Sequence, residues 1–303
     1  MRACILTLAI VFGAAWVAAA ADMDETYTSL KKAVDEKNVE QVKALSATLF
    51  ELTKPAIAAP APASADDKKA WSEAVEHAKE VQGFGEYALS ALAFQGPPAT
   101  TVDLLSTLEK ANPKSKYLDD TYGLYLVALA QTGQSAKVAP VAEKALANFP
   151  ENPDLLMALA NSALEKKQIN NALTYGKRLV AALNKRAKPE GMNEADWQKK
   201  KDADLGRGYW IVGVISGDRN LYADADRNLR AALPLIKGNE AEMAPALYYL
   251  GVANYQLGKM TLSKARVLEG AKFSEQAAAI PGALQQQSYH NALVMKDEAN
   301  KMR

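Results

Sequence analysis

Between Tyr27 and Leu52 the apolar positions Leu30, Ala33, Val34, Val39, Val42, Leu45 and Leu49 recur at steps of three and four, the spacing of one helix face. The polar run DEKN at 35–38 interrupts them, so the segment predicts a helical hairpin over residues 22–53. Residues 54–69, KPAIAAPAPASADDKK, place prolines among alanines, a composition that favours an extended, semi-rigid linker. From Trp71 onward helical spacing continues nearly throughout, and no stretch sustains the period of two of a half-buried strand. The expectation is an all-α fold.

Residues 85–113 lie over residues 122–150 at a shift of 37. Leu89, Ala91, Leu92, Ala93, Gly96, Ala99 and Pro113 then fall on Leu126, Ala128, Leu129, Ala130, Gly133, Ala136 and Pro150. Gly133 supplies the left-handed backbone that ends a first helix. Ala136 to Ala147 form a second helix, and Pro150 stops it. Pro140 would clash in a helix interior, so this second helix starts late or bends there. A hairpin of this size cannot bury its apolar stripe alone and must stack on copies of itself, which predicts an α-solenoid.

Further pieces of the same pattern are Leu159-Ala160, Ala163 and Ala172-Leu173; Tyr209, Val212-Gly213, Tyr222, Ala225 and Ala232-Leu233; and Leu247, Leu250-Gly251 and Gly258. On these residues the chain resembles the tetratricopeptide repeat family over about residues 70–280, in the form of an exported bacterial-type protein. The repeat array is expected over residues 70–283, interrupted by a charged connection at 184–198, with a polar-faced capping helix at 284–303. The resemblance implies a binding groove on the concave side, lined by the first helix of each hairpin. Carried over by position, that groove holds Glu86, Ser90, Asp120, Val127, Met157, Asn161, Arg207, Trp210, Val214, Tyr248, Val252 and Tyr255. The candidate partner-binding residues are Glu86, Asn161, Arg207, Trp210, Tyr248 and Tyr255. A family subgroup grips peptide C-termini with several Lys, Arg and Asn, and only Asn161 and Arg207 match that clamp. Trp210, Tyr248 and Tyr255 have two readings, as anchors for a peptide or as packing between neighbouring helices.

The N-terminal residues MRACILTLAIVFGAAWVAAAA, 1–21, have one charge, an apolar run and an alanine-rich exit before Asp22, the layout of a cleaved secretory signal peptide. An uncleaved anchor is the rival reading. Cys4, the single cysteine, lies within this leader, so the mature chain is expected to be without disulfide, thiol nucleophile or cysteine-based metal site. Lys and Arg number 36 against 35 Asp and Glu, so no global field selects nucleic acid.

Short motifs add little chemistry. GFGEYA at 83–88 fits a loose dinucleotide pattern but follows helical spacing, and is expected to be a break between helices. DADRN at 224–228 opens like a calcium loop, yet Leu229 and Leu235 occupy positions that need Gly and Glu. Ser29 and Lys32 form a bare S-x-x-K and read as solvated surface. His77 and His290 are the only histidines and belong to opposite ends of the array. The sequence therefore predicts a non-catalytic exported scaffold, periplasmic or extracellular. It is expected to bind a protein or peptide, with no cofactor, no metal, no nucleic-acid partner and no membrane span after signal cleavage. An envelope-associated solenoid holding a small ligand or glycan is the alternative.

Overall fold

The computed structural model describes residues 21–189 and 191–302, so all of the expected leader except Ala21 lies outside the described residues. Among the described residues every regular element is helical and no strand occurs. In chain order these are α1 (residues 21–35), α2 (Val39–Ala58), α3 (Ala65–Gln95), α4 (Pro98–Ala111) and α5 (Lys116–Gln131). A 3-10 turn, Ser135–Lys137, leads into α6 (Val138–Leu146). Then follow α7 (Pro153–Glu165), α8 (Ile169–Lys185), α9 (Glu194–Asp218), α10 (Tyr222–Ala232), α11 (Glu240–Met260), α12 (Lys264–Ala278) and α13 (Gln285–Lys301). The chain divides into two compact units, Met1–Val141 and Ala142–Arg303, with the boundary inside α6.

Each unit is a stack of hairpins in which a helix packs on its successor and, at several positions, on the helix after that, the arrangement of an α-solenoid. In the first unit α2 packs on α3, α3 on α4 and α4 on α5, while α3 also touches α5 and α2 touches α4. Met23, Ala56 and Ala78 form one buried cluster that ties α1 to α2 and α3. In the second unit the same order runs from α7 to α13, with α9 beside α11 and α11 beside α13. Its core is a series of local clusters, such as Leu156, Leu179, Leu183 and Leu205, then Ala225, Leu229, Ile236, Ala246 and Leu250. Odd-numbered helices thus form one layer of each unit and even-numbered helices the other.

One turn geometry joins most hairpins. A residue with positive φ follows the first helix at Lys37, Gly133, Lys167, Asn220 and Leu262. The next amide then reaches back across the helix end: Asn38 N to Ala33 O at 2.9 Å, Gln134 N to Leu129 O at 2.8 Å, Gln168 N to Ala163 O at 2.7 Å. Leu221 N to Ser216 O at 2.9 Å and Ser263 N to Gly258 O at 2.8 Å repeat it. This Schellman closure satisfies carbonyls that the helix end leaves free. Gly133 fills its turn as expected, at φ 74°. The α3–α4 corner departs from the 37-residue overlay, because Gly96 has φ −86° and ψ 162°. Pro97 follows it, and the ring of a proline drives the preceding residue into extended backbone. Pro140 stands in the first turn of α6, where its missing N–H costs no helical bond, so the helix does begin late.

Several expectations need correction. The 54–69 linker is largely helical: α2 continues through Pro55 to Ala58, α3 begins at Ala65, and only residues 59–64 lie outside helix. Burial of Ala56 against Met23 and Ala78, and the Trp71 Nε1 donation to Ala59 O at 3.0 Å, hold this corner in place. Residues 83–88 do not break a helix, since α3 runs unbroken for 31 residues. Gly85 serves packing instead, as an added Cβ would stand 3.2 Å from the Phe50 ring. The face of α13 is not wholly polar: Tyr289 and Leu293 are exposed beside Lys296 and Asp297.

Two tyrosines of α5 lie in the interior of the first unit. Burial, with the Glu109 carboxylate next in effect, pushes Tyr125 up to about 12, and the same causes raise Tyr122. An unfolded phenol ionises near pH 10, so this stabilisation is complete below about pH 10 and is lost as pH rises through about 12. Absorbance at 295 nm is expected to show Tyr122 and Tyr125 ionising only together with loss of helical circular dichroism, and Tyr125→Phe to move that loss to higher pH. Full tyrosine ionisation near pH 10 with the helical signal intact would contradict the burial of this pair.

Candidate recognition faces

In the first unit the layer of first helices carries a row of aromatic rings. Tyr27 of α1 meets Phe84 of α3 edge-on at 5.1 Å between centroids; Phe84 and Tyr87 lie 5.9 Å apart. Tyr87 reaches Tyr117 of α5 at 5.9 Å. A lysine ends the row on each side, Lys31 Nζ 3.8 Å from the Tyr27 centroid and Lys116 Nζ 5.0 Å from that of Tyr117. Tyr87 is 46% exposed, so the row meets solvent. Helical spacing continues it: Phe94 stands seven residues after Tyr87 and Val127 ten after Tyr117, and both are exposed.

Sequence reasoning missed most of this face by one register. Glu86 is a correction, for it is buried, its Oε1 accepting from Asn112 Nδ2 at 2.8 Å and from Gln82 Nε2 at 3.4 Å. Ser90 is buried as well. The family positions carried onto α3 fall beside the stripe of Phe84, Tyr87 and Phe94, on the side that faces the end of α4. Aromatic residues three and seven positions apart, at 84, 87 and 94, were the available signal.

In the second unit the structure brings together three of the expected residues. Asn161 of α7 accepts from Arg207 of α9, from Nε at 3.1 Å and from a terminal nitrogen at 2.9 Å. Arg207 also pairs with Glu242 of α11 at 2.8 Å and lies 4.7 Å over the Trp210 ring. The Trp210 indole donates to the Glu242 carbonyl at 2.8 Å. The cluster crosses three successive first helices and satisfies itself, which leaves Arg207 no free charge for a peptide carboxylate. Trp210 is half-buried against Leu229 and its neighbours, so packing between helices is its role here.

Tyr248 and Tyr255 stand apart from that cluster. With Val252 they form one wall of a trough of about 320 Å³, facing His290, Asn291 and Val294 of α13. Lys259 Nζ donates to the Tyr255 hydroxyl at 3.2 Å and pairs with Glu298 at 3.2 Å, while burial raises the Tyr255 pKa above its ordinary value. Both tyrosines are half-exposed and in reach of a ligand.

The remaining motifs take structural places. The calcium-like stretch lies in α10, where Asp224 pairs with Arg227 and Asp226 with Arg230 and Arg266. His77 Nε2 lies 2.8 Å from Asp24, and Lys32 pairs with Glu36 at 3.8 Å on an exposed face. No cluster of three or more metal-ligating side chains occurs among the described residues, and no described helix is long and apolar enough to cross a membrane. No protein-family model matches the chain, and no curated protein matches it either.

Proposed function

We propose that this chain is an exported, non-catalytic scaffold of tetratricopeptide type that holds a protein or peptide segment against the first-helix faces of its hairpins. The observation that carries this reading is the continuous aromatic row Tyr27, Phe84, Tyr87 and Tyr117 on three successive first helices, half-buried at three rings and exposed at Tyr87. Contiguous exposed apolar patches are uncommon on soluble proteins and mark interaction sites. Rings about 5–6 Å apart suit the side chains of a bound helix or extended segment, and aromatic anchors dominate such interfaces. Lys31 and Lys116 at the ends of the row favour a segment with acidic flanks. Export to a periplasmic or extracellular location is part of the same proposal and rests on the N-terminal leader pattern.

Pull-down from the envelope fraction of the native host tests the reading. Tyr87→Ala with Tyr117→Ala is expected to remove a saturable protein partner, each truncation weakening it by about 2 kcal/mol, while Tyr87→Ala alone, at an exposed position, changes thermal unfolding little and still weakens the partner. Equal recovery of the partner by wild type and double variant would end the proposal. Trp210→Ala is a poorer probe, since its loss also removes a half-buried hydrogen bond and a cation–π contact. The second reading, a small ligand or glycan, is favoured by the open trough between α11 and α13. It requires binding that is lost with Tyr248→Ala and Tyr255→Ala and persists in the Tyr87 variant.

A further inference from the structure

On the second-helix side of the first unit, α2 and α4 are pinned at one point and separate beyond it. The pin is Lys43, whose Nζ meets both Asp103 carboxylate oxygens at 2.7 Å. Beyond it lies a cavity of about 600 Å³, walled by α2 and α4 and floored by Gln82 of α3. Half-buried Phe50 and Ile57 line it with several alanines, giving an apolar base to a cavity open to solvent. Pro55 removes the amide that would otherwise bond the Glu51 carbonyl in this wall of α2.

Charge distinguishes this cavity from a simple packing gap. Lys54 reaches it from α2 and Lys110 from α4, and neither has a carboxylate partner among the described residues. Glu51 is the single acidic residue of the lining, so the lining carries a net positive charge. Like charges on facing walls repel until an anion lies between them, and an apolar base beneath them holds a hydrocarbon body. We infer that this cavity is a binding site for a small amphipathic monoanion free in solution, a carboxylate or sulfonate on an aromatic ring system or a chain of about eight carbons. The site is independent of peptide binding, because its charged walls belong to α2 and α4 and it includes no ring of the aromatic row.

The test uses anilinonaphthalene sulfonate as a fluorescent probe of the full chain, with octanoate and 1-octanol as competitors. Saturable binding at one site is expected, displaced by octanoate well below the concentration at which 1-octanol competes. An exposed ammonium–anion pair changes affinity by roughly fivefold, so Lys54→Gln with Lys110→Gln is expected to weaken octanoate by about 25-fold. The same variant should leave the 1-octanol midpoint and thermal unfolding unchanged, which separates a lost charge from a lost fold. Phe50→Ala is expected to weaken both competitors. Absence of saturable probe binding, or equal octanoate affinity in wild type and the double-lysine variant, would overturn the site.

Discussion

Gly270→Ala is expected to destabilise the second unit by about 2–3 kcal/mol, and Gly270→Leu to prevent α11 and α12 from packing. A Cβ at Gly270 would lie 2.8 Å from both the Gly251 carbonyl oxygen and the Tyr255 amide nitrogen. These are backbone atoms, so no side-chain rotation relieves the contact. The reciprocal position is as tight, since a Cβ at Gly251 would stand 2.3 Å from Ser274 Oγ and 3.1 Å from the Gly270 carbonyl. Alanine improves helix propensity by about 1 kcal/mol over glycine, and that gain is smaller than the cost of forcing two backbones apart. Gly83 supplies the internal comparison: it lies within α3, and a Cβ added there would meet nothing within 4 Å, so Gly83→Ala should stabilise by up to about 1 kcal/mol. Urea denaturation followed by circular dichroism reads both signs. A rise in stability for Gly270→Ala like that for Gly83→Ala would refute the close approach of α11 and α12.

The second large effect is expected at Asp226. Its carboxylate accepts from Arg230 Nε at 2.7 Å, Asn254 Nδ2 at 2.7 Å and Arg266 at 2.9 Å. Asn254, fully buried, accepts in turn from Arg230 at 3.0 Å and Arg266 at 3.2 Å. Arg230 continues to Glu269 at 2.9 Å, so the network binds α10, α11 and α12 together. Asp226→Ala leaves two guanidinium groups and a buried amide without their common acceptor. Removing one partner of a buried pair costs about 3–5 kcal/mol, but the arginine side chains here are 39% and 35% exposed. Solvent screening lowers the expected loss to about 2–3 kcal/mol, read as a fall in the urea midpoint. A change under about 0.5 kcal/mol, the ordinary range for surface substitutions, would show that the network contributes nothing net.

These two sites mark where sequence reading stopped. The hairpins were legible because apolar residues at steps of three and four announce a helix face directly, and Gly133 announces its left-handed turn. The equivalent turns at Lys37, Lys167 and Leu262 carry no such sign, because a non-glycine residue with positive φ is held there by the hydrogen bond closing around it. Gly83 and Gly85 read as punctuation, yet both lie inside α3, where Gly85 packs against Phe50. The polar network around Asn254 joins residues up to 40 positions apart, a separation that helix periodicity does not address. On the recognition faces, family positions located the Asn161, Arg207 and Trp210 cluster without revealing that it satisfies itself. They missed the aromatic row because a shift of one residue on α3 exchanges the buried side of Glu86 for the exposed side of Tyr87.

The central functional claim is that the aromatic row of the first unit, and not the opposite layer of helices, receives a protein. Photocrosslinking in the native host addresses it directly, with benzoylphenylalanine placed at Tyr87 and, as a control, at Thr48 on the exposed side of α2. A discrete adduct of one mass from position 87, absent from position 48 and competed by excess purified chain, is the predicted result. Equal or absent crosslinking at both positions would contradict it.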